Sequence, residues 1–273
     1  MLAQRVVTAV VLSAVMLWAI VTWNNFWFLQ LLLVFTFICA WEWSNLTSVA
    51  PKSLRIAHAV IVTLVTAVCL WFIDTPILKP LVLIGVIIWM TIICDLILRP
   101  VVNASEGENK TPETRWMLLF IASFCLLLAV WSIYWLRTSH GPGIVIYTIA
   151  LVAAADIGAY FAGRKFGKRK LALSISSGKT IEGAIGGQLL ALLLVLFATQ
   201  WFTELEISMW SLFLMSMLAS VVSVAGDLFI SRAKRTRNVK DSGSLLPGHG
   251  GILDRIDGLQ AAVPFIVFAL LWL

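Results

Sequence analysis

Long apolar runs follow one another along almost the whole chain, separated by short polar segments. A helix needs about 20 predominantly apolar residues to cross the hydrocarbon core of a bilayer. Breaking the runs at charge clusters, Pro and Gly predicts nine spans, at residues 6–23, 26–43, 57–73, 78–98, 116–136, 143–163, 184–203, 208–230 and 258–273. The pattern therefore predicts an all-α, polytopic membrane protein.

The placement of Lys and Arg tests this span count, because short cytoplasmic loops collect basic residues. Of the 20 Lys and Arg residues, only Lys79 and Arg137 fall on the side opposite to the N-terminus. This asymmetry predicts a cytoplasmic N-terminus and a C-terminus outside. The formal net charge of +6 then describes one membrane face that meets anionic headgroups or substrates. Basic residues confined to short loops make a nucleic-acid partner a poor alternative.

Composition separates the chain into two predicted regions. The protein is 60% hydrophobic and 12% charged, which excludes a soluble domain. Residues 1–140, with spans 1–5, hold little polar sequence, whereas residues 141–273, with spans 6–9, hold most glycine-containing polar segments. Chemistry is expected in residues 141–273.

Four single cysteines inside apolar runs indicate core positions rather than a disulfide or zinc site.

Carboxylates inside or at the ends of spans are candidate site residues, because an unpaired charge in hydrocarbon is costly. Asp156 shares a helix face with Tyr160, Gly163 and Gly167, which fits either a site or close helix packing. Asp227 follows Gly226 near the end of the eighth span, where pairing with a nearby Arg is the alternative to a site role. For Glu42 and Asp95 we expect structural or interfacial roles.

The stretch SISSGKTIEGAIGG, residues 174–187, ends like a phosphate-binding loop. It lacks the upstream glycine, since Leu173 stands there, and we expect no strand before it, so a P-loop is rejected. Lys179 and Thr180, just before the seventh span, could still contact a phosphate at a helix N-terminus. Gly183 and Gly187 are interpreted as a packing face.

The densest polar stretch is KDSGSLLPGHGGILDRID, residues 240–257. Its acids could hold Mg²⁺, which prefers oxygen ligands and bridges phosphate oxygens, and its glycines let backbone amides approach an anion. Phosphoryl or nucleotidyl transfer depends mainly on positioning and charge neutralisation. A solvated basic loop explains the Lys and Arg residues but not the three acids, His249, Pro247 and the glycines together.

The run GDLFISRAKRTRNVKDSGSLLPGHGGILDRID resembles the signature of phosphatidate cytidylyltransferases, also called CDP-diacylglycerol synthases. The segments AWEW, DIGAYFAGRKFGKRKL and SSGKTIEGAIGG are similar to family segments in the same order. The resemblance covers most of residues 141–273 and touches the first half.

The resemblance implies that a phosphatidate oxygen attacks the α-phosphorus of CTP, giving CDP-diacylglycerol and pyrophosphate. It implies that Asp227 and Asp254 hold the catalytic metals, Mg²⁺ with a monovalent partner such as K⁺. A homodimer in the bacterial inner membrane is also implied. The remaining implied site residues bind phosphate or substrate or support the site: Lys179, Ser231, Lys234, Arg235, Lys240, Asp241, His249, Gly250, Gly251, Arg255 and Asp257.

The chain departs from the family pattern at Ile230, Ala233 and Ser177, which stand for an acid, a bulky apolar residue and a proline. None of the three replaces a metal ligand or a phosphate-binding charge. A paralogue with an altered lipid substrate is therefore an alternative.

Two other classes of protein share some of these sequence features. A CDP-alcohol phosphatidyltransferase would need an arginine where Ala262 stands and further acids beyond the end of this chain. A transporter of anionic substrates would also use intramembrane acids and basic loops, but its site normally lies at the midplane between repeated halves. The candidate groups here collect at one face, and the sequence shows no repeated half.

Overall fold

The structure, a computed structural model, describes residues 2–47, 51–71, 75–99, 112–198, 208–246, 248 and 250–272, with residues 2–9, 75, 76 and 112 described by their backbone alone. Within these residues the chain forms nine helices and one two-stranded hairpin. In chain order the elements are α1 Leu2–Thr22, α2 Asn25–Leu46, α3 Lys52–Trp71, α4 Thr75–Leu98, α5 Pro112–His140, α6 Pro142–Phe166, β1 Lys170–Ala172, β2 Ser176–Thr180, α7 Ile181–Ala198, α8 Met209–Thr236 and α9 Leu253–Trp272.

The helices confirm an all-α, polytopic membrane protein. In the described part of the chain, eight helices, α2 to α9, are long and apolar enough to cross a bilayer. The stretch Val10–Thr22 of α1 is a shorter apolar helix. Each predicted span falls on one of the nine helices, so hydropathy located the elements correctly.

Several predicted boundaries are wrong, because hydropathy marks where apolar sequence begins and backbone hydrogen bonding marks where a helix begins. Helix α9 begins at Leu253 rather than 258, which places Asp254 in its first turn. Helix α8 continues past residue 230 to Thr236, so Lys234 and Arg235 are helical. Helix α7 begins at Ile181 rather than 184. Helix α5 extends beyond 116–136 at both ends.

A hairpin stands where no strand was expected. Strands β1 and β2 pair antiparallel, with Lys170 opposite Thr180 and Ala172 opposite Ser176. Strand β2 is the SSGKT segment itself, and α7 begins at the next residue. The hairpin escaped prediction because a strand of three residues has no readable period. With Gly178 and Lys179 inside the strand and no loop before the helix, the segment is still not a P-loop.

The chain divides into two compact units, each built from three segments. Unit 1 comprises Met1–Asp74, Ala104–Ile146 and Ala233–Ile256, and unit 2 comprises Thr75–Asn103, Tyr147–Arg232 and Asp257–Leu273. The sequence analysis divided the chain into residues 1–140 and 141–273 by their polar content. That division is a different one, and it stays a prediction.

In unit 1, α2 packs against α3 and α5 around buried Phe28, Trp43 and Leu126. In the same unit, Arg137 of α5 binds the C-terminal end of α1. Its guanidinium donates to the carbonyl of Ile20 at 2.9 Å, to the carbonyl of Trp23 and to Asn25 Oδ1 at 2.6 Å. Carbonyl groups at a helix C-terminus have no hydrogen-bond donor within the helix, and here Arg137 is their donor.

In unit 2, α6 and α7 approach closely through small residues. A Cβ added at Gly187 would overlap the carbonyl oxygen of Ala155, and one at Gly183 would lie 2.8 Å from that of Ala159. Gly158 of α6 is equally crowded by the α7 backbone. The predicted packing face at Gly183 and Gly187 is therefore confirmed, and it follows the small-residue packing common in membranes.

Candidate active site

A lysine–aspartate pair forms the centre of the first polar cluster, which lies in unit 2. Lys179 Nζ, at the end of β2, is 2.7 Å from Asp227 Oδ2 on α8. The Ser231 hydroxyl, one turn further along α8, donates to Asp227 Oδ1 at 3.0 Å. The side chains of Lys179 and Asp227 are 22% and 30% exposed, so a ligand can reach both.

The hairpin that carries Lys179 is anchored to the start of α7. Thr180 precedes the helix, and its hydroxyl oxygen accepts the Gly183 amide at 3.0 Å, as an N-cap residue does. Glu182 Oε2 accepts the amides of Lys168 and Arg169 at 3.0 and 3.1 Å. These bonds join both ends of the hairpin to one helix turn, so Lys179 has a defined position.

Two further carboxyl groups act on the Lys179–Asp227 pair. Asp156 of α6 and Asp257 of α9 both interact electrostatically with Lys179 and with Asp227. A cavity of about 340 Å³ opens here, lined in part by Asp156, Tyr160, Lys179 and Asp227. Three carboxyl groups therefore interact with one ammonium group beside this cavity.

The second polar cluster, in unit 1, surrounds Asp254. Lys234 Nζ is 2.7 Å from Asp254 Oδ1, and these side chains are 11% and 6% exposed. Asp254 Oδ2 accepts the Ser242 amide at 2.8 Å, the Ser242 hydroxyl at 3.0 Å and the Gly251 amide at 3.1 Å. Asp254 thus holds the folded signature segment as well as facing Lys234.

Glu42 of α2 belongs to the same cluster, although the sequence favoured only a structural or interfacial role. It is 3% exposed, and its carboxylate accepts the Ser242 hydroxyl and the amides of Ile252 and Leu253. Glu42 has no glycine-rich neighbour in sequence, so only the AWEW segment could have pointed to it. Ser242 was part of the family resemblance but was not chosen as a site residue.

Five further predicted residues belong to the same signature run, residues 226–257. Gly250 lies against Asp254, since a Cβ added at Gly250 would be 2.9 Å from Asp254 Oδ2. Lys240, Asp241 and Arg255 have exposed side chains. Arg235 donates to the Val239 carbonyl at 3.3 Å. Gly250 adopts φ +82°, where a Cβ would lie 3.0 Å from that of Asp241.

His249 lies outside the described residues. Asp95 forms a salt bridge with Arg232 at 2.7 Å and a longer one with Arg99 at 3.5 Å, and its side chain is half exposed. These contacts keep Asp95 outside both polar clusters.

Comparison with known proteins shows the family of this chain. The sequence profile of the Cytidylyltransferase family matches residues 3–273. The chain belongs to that family. As a member of the cytidylyltransferase family it is an enzyme, a nucleotidyltransferase, and an integral membrane protein.

Two of the relatives match over nearly their full length. The chain is 34% identical to the phosphatidate cytidylyltransferase of Haemophilus influenzae, with 98% of each chain covered. It is 37% identical to that of Pseudomonas aeruginosa, covering 100% of this chain and 97% of the relative. The Bacillus subtilis enzyme of the same name is 44% identical over 48% of each chain.

The carboxylates of the two polar clusters are the kind of ligand that Mg²⁺ prefers. Among the described residues, no group of three or more His, Cys, Asp or Glu side chains is placed to enclose a metal ion. Mg²⁺ is usually held by one or two carboxylates together with substrate phosphates, rather than by a complete protein cage. Asp227 and Asp254 offer such carboxylates, and each is already paired with an ammonium group at 2.7 Å.

Proposed function

We propose that the protein transfers CMP from CTP to phosphatidate, forming CDP-diacylglycerol and pyrophosphate in a Mg²⁺-dependent reaction. The observation that carries this proposal is the nearly full-length similarity to two enzymes named phosphatidate cytidylyltransferase. The lysine–aspartate pairs within the described signature segments support it, because a polyphosphate and its metal ion require cationic and carboxylate groups close together.

The proposed reaction is an in-line displacement at phosphorus. A phosphate oxygen of phosphatidate forms a bond to the α-phosphorus of CTP, and the bond from that phosphorus to the pyrophosphate oxygen breaks. Phosphatidate is already an anion at neutral pH, so the step requires no general base. Catalysis then rests on orientation and charge neutralisation, which lysine ammonium groups such as Lys179 and Lys234 can supply.

Asp227 and Asp254 are proposed as the metal ligands, with K⁺ as a second ion. Mg²⁺ bound there would neutralise charge on the phosphate oxygens. The protein's own contribution is to hold the carboxylates: Ser231 orients Asp227, and Ser242 with Gly251 orients Asp254. Lys179 and Lys234 each pair with one of these carboxylates at 2.7 Å.

An amphiphilic substrate requires an apolar surface next to its phosphate site, and unit 2 provides one. An apolar cavity of about 350 Å³ is formed by residues of α4, the hairpin and α8. It shares Leu171 and Val224 with the polar cavity at Lys179 and Asp227. We propose that an acyl chain of phosphatidate lies in this apolar cavity while its phosphate enters the adjoining polar cavity, next to the nucleotide phosphates that Lys179 binds.

The site is proposed to face the cytoplasm, where CTP is available, with the protein in the bacterial inner membrane as a homodimer. The one-sided distribution of basic residues supports this orientation. The homodimer rests on the family resemblance.

The deciding experiment supplies purified protein with phosphatidate, Mg²⁺ and CTP labelled in the cytidine. The proposal expects the label to enter a lipid-soluble product and pyrophosphate to form in equal amount, with both lost when EDTA removes the metal. Label that stays wholly in water would reject phosphatidate as the acceptor and would favour a paralogue with another substrate or a transporter.

Asp254→Asn tests the metal and charge role of the second cluster. We expect turnover to fall at least about a hundredfold, a loss typical of removing a preorganised charge from an active site. Expression and oligomeric state should stay unchanged, because an asparagine oxygen can still accept the Ser242 and Gly251 amides. Asp95→Asn, which alters a half-exposed salt bridge, is the matched control and should keep most activity. Near-normal turnover of Asp254→Asn would remove Asp254 from the site.

A further inference from the structure

Glu42 makes an unusually complete set of contacts for an acid in an apolar helix. It lies on α2, about two hundred residues before the signature segment, and is 3% exposed. Its Oε2 accepts the Ser242 hydroxyl at 2.7 Å and the Leu253 amide at 2.9 Å, while Oε1 accepts the Ile252 amide at 3.0 Å. A buried carboxylate is costly unless such donors compensate it, so this position serves a specific contact.

Two of these donors belong to the start of α9. Leu253 is the first helical residue, so its amide and that of Ile252 have no carbonyl partner within the helix. A carboxylate at a helix N-terminus satisfies such amides and interacts favourably with the helix dipole. Glu42 therefore caps α9 from another helix, a role that a local Ser, Thr or Asp more commonly performs.

The third donor connects Glu42 to Asp254. The Ser242 hydroxyl oxygen is 2.7 Å from Glu42 Oε2 and 3.0 Å from Asp254 Oδ2. The amides of Ser242 and Gly251 also point at Asp254 Oδ2. The amides of Ser242 and Gly251 thus both hold Asp254, and the one Ser242 hydroxyl proton is shared between Asp254 and Glu42. Glu42 therefore contacts both ends of segment 242–253.

Two glycines show how closely the segment surrounds Glu42. A Cβ added at Gly243 or at Gly251 would overlap the Glu42 carboxylate, and one at Gly251 would also overlap the Ser242 hydroxyl. These positions can be occupied only by a residue without a side chain as long as Glu42 keeps its place. Gly243 and Gly251 therefore pack directly against the Glu42 carboxylate.

We propose that Glu42 is a positioning residue for Asp254: it holds segment 242–253 and thereby sets the direction in which the Asp254 carboxylate faces. Glu42 itself touches no substrate in this proposal. The effect on catalysis rests on the proposed function, since it assumes that Asp254 takes part in the reaction. The effect on the segment's structure does not depend on that assumption.

The main variant is Glu42→Gln, which keeps the side chain's size but replaces one acceptor oxygen with a donor NH₂ group. That group would face Ser242 or a backbone amide, so at least one of the three bonds is lost. Ser242→Ala removes only the hydroxyl link and leaves the two helix-capping bonds in place. Glu113→Gln, at an exposed position in the first turn of α5, is the matched control.

Two measurements are made on each purified variant. Hydrogen–deuterium exchange followed by mass spectrometry reports the protection of amides in segment 242–253 without requiring activity. Steady-state kinetics with phosphatidate, CTP and Mg²⁺ separates kcat from KM. For Glu42→Gln we expect faster exchange in segment 242–253 and unchanged exchange in α6 and α7. We also expect kcat to fall by about ten- to a hundredfold, as misplacement of a reacting group does, with the KM for phosphatidate nearly unchanged.

Ser242→Ala should lower kcat by a smaller factor, and the double variant should lose less than the product of the two single losses, because both changes interrupt one path. If Glu42→Gln does not accumulate as folded protein, Ser242→Ala alone decides the matter. Unchanged kcat in the variants, or faster exchange with normal kcat, would overturn the positioning role. A wild-type protein that makes no CDP-diacylglycerol would reject the proposed function instead, while the exchange data would still show whether Glu42 holds the segment.

Discussion

At the scale of single residues, the described polar clusters repeat one motif, a lysine paired with an aspartate at 2.7 Å. Lys179 pairs with Asp227, and Lys234 pairs with Asp254. The sequence could nominate all four residues from charge and resemblance, but it could not assign the partners. For Asp227 the sequence-based alternative was an arginine, whereas the structure supplies a lysine from a strand 48 positions away. Partners so distant in sequence leave no periodic signal.

Lys179→Met tests whether this ammonium group binds the nucleotide. Losing one charge-assisted bond to phosphate costs about 1.5–3 kcal/mol, so we expect the KM for CTP to rise by about ten- to a hundredfold. Lys165→Met is the matched control, since Lys165 is exposed at the end of α6 with its ammonium 5.3 Å from the Phe166 ring. A KM for CTP in Lys179→Met equal to that of the control would contradict a nucleotide contact.

At the scale of secondary-structure elements, close packing of α6 on α7 positions the hairpin. Gly163 of α6 faces Thr180, the last residue of β2, and Gly183 in the first turn of α7. Glycines spaced at helical intervals are readable from sequence, and this face was predicted. The hairpin was not, because its two short strands are stabilised by each other and by Glu182 rather than by a hydrophobic pattern.

Gly187→Ala tests this packing. Its Cβ would meet the backbone of Ala155, which cannot move aside as a side chain could, so the helices must separate. Overpacking of this kind costs about 1–3 kcal/mol, and we expect a lower melting temperature in detergent. Gly178→Ala is the control, since nothing lies within 4 Å of its Cβ position. Equal melting temperatures for the two variants would show that α6 and α7 do not need this contact.

At the scale of the whole molecule, the distribution of charge is the dominant feature. The two basic residues on the sparse side have partners within the protein. Arg137 holds the end of α1, and the Lys79 ammonium lies 5.8 Å from the centre of the Trp272 ring. Because Arg137 and Lys79 have these structural contacts, their location on the sparse side is compatible with the positive-inside pattern.

Reporter fusions test the proposed orientation. We expect a C-terminal alkaline phosphatase fusion to be active and a C-terminal green fluorescent protein fusion to stay dark, because the C-terminus is predicted outside. Fusions truncated after residue 170 should show the reverse, since that basic segment is predicted in the cytoplasm. An active phosphatase at residue 170 would invert the topology and place the basic loops outside.

The sequence by itself determined the class of protein, the location of the spans, the basic face and the family signature. Hydropathy, charge and a contiguous signature are local properties, so they can be read without folding the chain. The choice of Asp227 and Asp254 as candidate site residues likewise depended on short stretches of adjacent residues.

The tertiary structure alone decided where helices begin and which side chains meet. Helix α9 begins at Leu253, five residues before its predicted start, because Glu42 caps its first amides from α2. The same contact reveals Glu42 as part of the Asp254 cluster. Such contacts join residues about two hundred positions apart, and their free energy comes from donors and acceptors that meet only when the chain is folded.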